Sequence, residues 1–289
     1  MSGATEPPVA DMPPSLPGGG WAQGLRTRTI FGAVMAAIAL AAIFLGDVVF
    51  AALIGAGAVV MGWEWIRLCG AGRFGRTGIV TALALIGVSV LAFLDQAALA
   101  LAVALLSAAG VYAVARLGER ANPCWAAAGL IYIGVPVVSL IWLRGHEWSG
   151  ERLILWLMLA VAATDIGAFF AGRLIGGPKL APRISPKKTW AGLIGAMLAS
   201  AAVGVIFAAV DPRAPSGGVL MVAGALLAVI AQAGDLGESW VKRRFGAKDS
   251  SHLIPGHGGL LDRVDGLIAA GAALAVFQWV SDGSLLTWQ

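Results

Sequence analysis

Long apolar runs, broken by short polar clusters, make up most of the chain from residue 28 onward. A helix needs about 20 mostly apolar residues to cross the hydrocarbon of a bilayer. Segmenting by that length predicts nine spans, near residues 28–46, 48–67, 77–94, 96–116, 124–143, 153–175, 190–210, 217–236 and 266–281. The expected fold class is all-α, a polytopic integral membrane protein with about nine transmembrane helices. Gly and Ala recur inside the runs, as in "LIGAGAVVMG" and "GLIGAMLASAAVG". Small residues let helices approach closely in lipid. Their use here predicts tight packing within one chain rather than a seam between copies.

Residues 1–25 break the pattern with five prolines and Gly18-Gly19-Gly20. That composition predicts a disordered tail. It has neither the basic start nor the prompt short apolar run of a cleaved signal peptide, so the first span reads as a retained anchor. Three regions follow: the tail 1–25, an N-terminal set of about five spans in 26–150, and a C-terminal region 151–289. Composition agrees with the pattern. Hydrophobic residues make up 58% of the chain and charged residues 12%, against about 25% charged in soluble domains. A single water-soluble core is excluded. Cys69 and Cys124 show no metal-binding spacing and read as small apolar residues.

With nine spans the tail and the loops after spans 2, 4, 6 and 8 share one side. That side collects 17 of the 20 Lys and Arg residues, leaving Arg144, Arg152 and Arg213 opposite. The positive-inside rule makes the rich side cytoplasmic.

Against this background the acids are informative. Asp47, Asp95, Asp211 and Asp282 fall in the short non-cytoplasmic turns. Asp165 lies inside the sixth span, where an ionisable group marks either a site or a buried partner such as Arg173. Glu64, three residues before Arg67, reads as a structural ion pair on one helix face. Asp235, Glu238 and Lys242 share a helix face at i, i+3 and i+7, with Ser239 and Arg243 adjoining. Asp262 and Asp265 stand where the ninth span begins. Carboxylates delivered by two helices to one interface suit Mg²⁺ or another divalent cation, which prefers one or two carboxylates plus substrate phosphates. Asp235 and Asp262 are the expected metal ligands, with Asp265 and Asp249 as second choices.

Phosphate-binding elements surround these acids. "GHGG", Gly256 to Gly259, offers backbone N–H groups ahead of a helix start. Lys242, Arg243, Lys248 and Arg263 can neutralise a polyphosphate or contact anionic lipid. His257 has no matching partners for zinc. A second basic loop, "PRISPKKTW" from Pro182 to Trp190, opens the seventh span. Ser185, Lys187, Lys188 and Thr189 there form either a phosphate seat or an ordinary cap with topogenic charge.

"SWVKRRFGAKDSSHLIPGHGGLLDRVD", Ser239 to Asp265, resembles the signature of the phosphatidate cytidylyltransferase family, also called CDP-diacylglycerol synthases. Its pattern is S-x-apolar-K-R, four residues, K-D, a P-x-H-G-G turn and D-R-apolar-D. "TDIGAFFAGRLIGGPKLAPRISPKKTWAG", Thr164 to Gly192, is similar to the other familiar stretch of that family, with Ala191 where relatives often carry an acid or amide. The resemblance implies that CTP and phosphatidic acid are converted to CDP-diacylglycerol and pyrophosphate, in an all-helical, divalent-metal-dependent membrane enzyme that is dimeric where examined. The implied partners are CTP, phosphatidic acid, membrane lipid and a second copy of the chain, with no nucleic acid. The implied place is a bacterial inner membrane, with the site on the cytoplasmic face. Within this scheme Asp235, Lys242, Asp249, Asp262 and Asp265 are the candidate catalytic residues. Ser185, Lys187, Lys188, Thr189, Ser239, Arg243, Lys248, His257, Gly258, Gly259 and Arg263 are the candidate substrate-binding ones. Two other classes share part of this chemistry: a CTP-dependent lipid-alcohol kinase and a cation-coupled transporter.

The charge split makes topology testable. A reporter active only outside the cytoplasm should give signal when fused after Gln289 and none when fused after Gly246. The reverse pattern would overturn both the span count and the side assigned to the site.

Overall fold

The computed structural model describes residues 21–70, 72–117, 122–146, 149–254 and 258–281, with side chains from residue 29 onward. Most of the expected tail 1–25 therefore lies outside the described residues, and residues 21–25 open a helix. The elements in order are α1 (Trp21–Phe44), α2 (Asp47–Cys69), α3 (Gly75–Phe93), α4 (Ala97–Arg116), α5 (Pro123–Arg144) and α6 (Gly150–Leu174). A hairpin of β1 (Lys179–Ala181) and β2 (Ser185–Thr189) follows, then α7 (Trp190–Val210), α8 (Gly217–Arg244) and α9 (Leu261–Val280). The helices α2 to α9 are long and apolar enough to cross a membrane, and α1 contributes the shorter apolar segment Thr29–Phe44. The chain is an all-α polytopic membrane protein.

The buried helix at the centre is α5. Asn122 caps it by accepting the N–H of Trp125, and Pro123 occupies the first turn, where its missing N–H costs nothing. Leu130, Ile133 and Val137 of α5 are buried against α2, α3 and α4, while Leu140 and Leu143 pack toward α6, α8 and α9. The indole N–H of Trp65 on α2 donates to the carbonyl of Trp125 at 2.7 Å. Gly129 leaves the space that the Trp65 ring fills; a Cβ there would collide with it. Trp125 also meets Trp240 and Phe245, each with ring centroids 5.6 Å away. This aromatic cluster ties the same end of α2, α5 and α8 together.

Small residues do what their pattern predicts. A Cβ on Gly167 of α6 would lie 2.5 Å from the Gly195 carbonyl of α7, and one on Gly224 of α8 would lie 2.7 Å from that of Ser200. The glycines of "GLIGAMLASAAVG" are thus used inside the chain, where backbones meet.

Helices α1 and α9 begin seven and five residues earlier than predicted, and two further features were not foreseen. First, α8 continues to Arg244 rather than ending near 236. Its 28 residues span about 42 Å, against a hydrocarbon thickness of about 30 Å. Its last turn carries Lys242, Arg243 and Arg244, favourable at the negative end of a helix dipole. The N–H groups of Phe245 and Ala247 cap its final carbonyls, with Gly246 at φ +68° making the turn. Second, "KLAPRISPKKT" is a β-hairpin, with Lys179 opposite Thr189 and Ala181 opposite Ser185. Strands this short carry no readable periodicity.

The two ends of the bundle differ chemically. Arg144 pairs with Asp47 at 2.5 Å and Arg152 with Asp211 at 2.9 Å at one end. The hairpin, the end of α8 and the start of α9 gather at the other.

Candidate functional site

Lys242 is 7% exposed, so its ammonium requires partners. Its Nζ lies 2.6 Å from Glu238 Oε2, one turn back on α8, and 2.5 Å from Asp262 Oδ1 in the first turn of α9. One cation does not neutralise two buried carboxylates: N–H and O–H donors serve Asp262, while the Glu238 oxygens have no hydrogen bond among the described residues besides the Lys242 contact. Asp262 accepts the backbone N–H of Ser250 at 2.9 Å, the Ser250 hydroxyl at 3.0 Å and the Gly259 N–H at 2.8 Å. These bonds fold the connection between α8 and α9 back over the ion cluster. Glycine is needed at its end: Gly258 has φ +86°, and a Cβ there would lie 2.7 Å from Asp262 Oδ2. At Gly259 a Cβ would run into the Ser250 hydroxyl and the Glu64 carboxylate. The Gly259 amide, expected to meet a phosphate, holds the Asp262 carboxylate here.

Glu64 corrects an expectation. It does not pair with Arg67; that guanidinium lies 4.7 Å over the Trp63 ring and donates from Nε to the Gly72 carbonyl. Glu64 is fully buried. Its Oε1 accepts the Ser251 hydroxyl at 2.6 Å and the Leu260 N–H at 2.8 Å, while Oε2 accepts the Leu261 N–H at 2.8 Å. The physical reason is that the first N–H groups of α9 have no partner within their own helix. A carboxylate from α2 caps them and meets the positive end of the α9 dipole. Spacing within α2 gave no sign of this, because the donors lie almost 200 residues away in sequence.

A second cluster lies further along α8. Lys188 of β2 pairs with Asp235 at 2.6 Å and reaches the Gln232 carbonyl, and the Ser239 hydroxyl donates to Asp235 at 3.3 Å. Strand alternation turns Lys187 the other way, into the open. Asp265 and Asp165 are both within electrostatic reach of Asp235, and Arg263 is within reach of Asp165. The alternative partner for Asp165, Arg173, lies over the Phe169 ring instead. The Tyr132 hydroxyl is buried without a hydrogen bond among the described residues and faces the charges of Glu238, Asp265 and Asp235. Sequence reasoning missed it, since a tyrosine within an apolar span carries no pattern.

The remaining candidates separate. Thr189 is the cap of α7, buried, accepting the Gly192 N–H at 3.0 Å. Ser185 opens β2. Arg243 donates to the Ala247 carbonyl at 2.7 Å, bracing its own turn. Lys248, Asp249 and Arg263 are exposed. His257 lies outside the described residues. Among the described residues no three His, Cys, Asp or Glu side chains stand close enough to hold a metal by themselves. What the site offers is two lysine–carboxylate clusters on α8, flanked by exposed cations. Chemically that suits a polyanion at a membrane face.

Residues 26–281 match the Cytidylyltransferase family. A phosphatidate cytidylyltransferase of Brucella suis biovar 1 (strain 1330) is 43% identical over 253 residues, covering 88% of this chain and 93% of that protein. One of Pseudomonas aeruginosa (strain PAO1) is 38% identical over 271 residues, covering 89% and 98%.

The Glu64 hub generates a stability test. Glu64→Ala strands the buried N–H groups of Leu260 and Leu261, at about 1–3 kcal/mol each. Arg67→Ala should cost well under that. Thermal unfolding in detergent should show a clear fall for the first variant and little change for the second. Equal effects would restore the Glu64–Arg67 pair.

Proposed function

Because the chain belongs to the Cytidylyltransferase family, we propose that it transfers the cytidylyl group of CTP to phosphatidic acid, giving CDP-diacylglycerol and pyrophosphate. The observation that carries this is the convergence of Lys188, Asp235 and Ser239 with Lys242 and Asp262 at one end of a membrane bundle. A nucleotide from water and a lipid phosphate at headgroup level can meet there. The reading places the N-terminus and this end of the bundle in the cytoplasm, the protein in a bacterial inner membrane, and two copies in a dimer.

In the reaction a phosphate oxygen of phosphatidate attacks the α-phosphorus of CTP in line. The new P–O bond forms as the bond to the β-phosphate oxygen breaks, and pyrophosphate departs. A phosphate monoester with a second pKa near 6 is largely dianionic at neutral pH and needs no strong base. The residues therefore act by positioning and charge. Lys187, Lys248 and Arg263, exposed around the clusters, would neutralise the triphosphate and the lipid phosphate. Lys188 and Ser239 fix the Asp235 carboxylate, and Lys242 fixes that of Asp262.

The donor set fits Mg²⁺ or a similar hard cation. Asp235 keeps 34% of its side chain exposed, and Asp265 lies within its electrostatic reach. Asp262 has both oxygens engaged by Lys242, Ser250 and Gly259. Asp235, supported by Asp265, is therefore the primary ligand in this proposal, with Asp262 as the neighbour that holds the loop. Such an ion, when bound, supplies charge neutralisation for the leaving pyrophosphate.

Purified protein given CTP, Mg²⁺ and phosphatidate should release pyrophosphate and CDP-diacylglycerol in equal amounts. Asp235→Asn should lower the rate at least 100-fold, since each 1.36 kcal/mol of lost transition-state stabilisation is tenfold. CDP with a phosphorylated lipid would instead identify a lipid-alcohol kinase, and no CTP consumption would favour a transporter.

A further inference from the structure

A polar cavity of about 630 Å³ lies between the ends of α2 and α8, lined also by the start of the α8–α9 connection. That volume is in the range of small-molecule sites. Trp63 and Arg67 form one wall, with the guanidinium 4.7 Å over the indole ring. Asp249, Ser251 and His252 form the other. The floor is Glu64, held by the Ser251 hydroxyl and the two α9 amides.

We propose that this cavity seats the pyrimidine ring of the nucleotide substrate, stacked against the Trp63–Arg67 wall and read by Asp249. The inference rests on the CTP reading above and adds the place and chemistry of base selection. Indole and guanidinium planes both stack on bases, and base–aromatic stacking tolerates any planar ring. Discrimination then needs a polar reader. Asp249 has no hydrogen bond or ion pair among the described residues. A carboxylate accepts from the exocyclic amine of cytosine, whereas uracil presents a carbonyl oxygen there and is repelled. The cavity also adjoins the reaction centre. Asp249 Cβ lies 3.4 Å from where a side chain on Gly258 would begin, and the next residue, Ser250, donates its N–H to Asp262. A nucleotide lying over this connection would carry its phosphates past exposed Lys248.

The test is steady-state kinetics with CTP, UTP and phosphatidate. Trp63→Leu should raise KM for CTP about 10-fold or more while leaving KM for phosphatidate unchanged, and Trp63→Phe should restore most of the loss. Asp249→Asn should reduce the preference for CTP over UTP, as a ratio of kcat/KM, by about 10-fold or more. Arg67 and Asp249 are exposed, so Arg67→Ala and Asp249→Asn carry the test if Trp63→Leu does not fold. Variants that fold, elute as wild type and keep both the wild-type KM for CTP and the wild-type base preference overturn the pocket assignment. A wild-type protein that forms no CDP-diacylglycerol overturns the functional reading first, whatever the variants do.

Discussion

A charge buried within a membrane bundle has little water to solvate it, so it must find its counterpart inside the protein. The Lys242 ammonium meets that condition between Glu238 and Asp262, and much of the site follows from it. Asp262 can then gather Ser250 and Gly259, and the connection closes over the cluster. Glu64 completes the arrangement from α2 by capping α9. The helices are set by apolar packing, but the loop that carries the chemistry is set by carboxylates.

That division explains why glycines crowd the loop. Gly258 and Gly259 sit against carboxylate oxygens where no Cβ fits. The aromatic cluster of Trp65, Trp125, Trp240 and Phe245 has the complementary role of tying α2 and α8 to α5 through Trp125. Failure in either layer would loosen the other.

The spans of the bundle were legible because lipid requires long apolar runs, and each predicted run overlaps one helix of the structure. The shared face of Glu238 and Lys242 was readable from helical spacing, whereas Ser239, read as adjoining Arg243, turns to Asp235, and Arg243 turns to the Ala247 carbonyl. The role of Glu64 was not legible, because its donors are backbone amides of a distant helix and amides leave no trace in composition. Thr189 was legible only as a choice between phosphate seat and cap, and burial gives it to the cap. Asp249 carries the same charge as Asp235, yet the chain direction after Gly246 turns it toward Trp63. Sequence spacing cannot distinguish two sides of one loop.

The dependence of the loop on buried carboxylates is open to residue-level amide hydrogen exchange in detergent, comparing wild type with Lys242→Met. In the wild type the N–H groups of Ser250, Gly259, Leu260 and Leu261 should exchange far more slowly than that of exposed Lys248. In the variant, protection at Ser250 and Gly259 should fall first, because Asp262 loses its cation. Exchange at these four positions as fast as at Lys248 in the wild type, or protection unchanged in the variant, would contradict the claim that the Lys242–Asp262 pair organises the site.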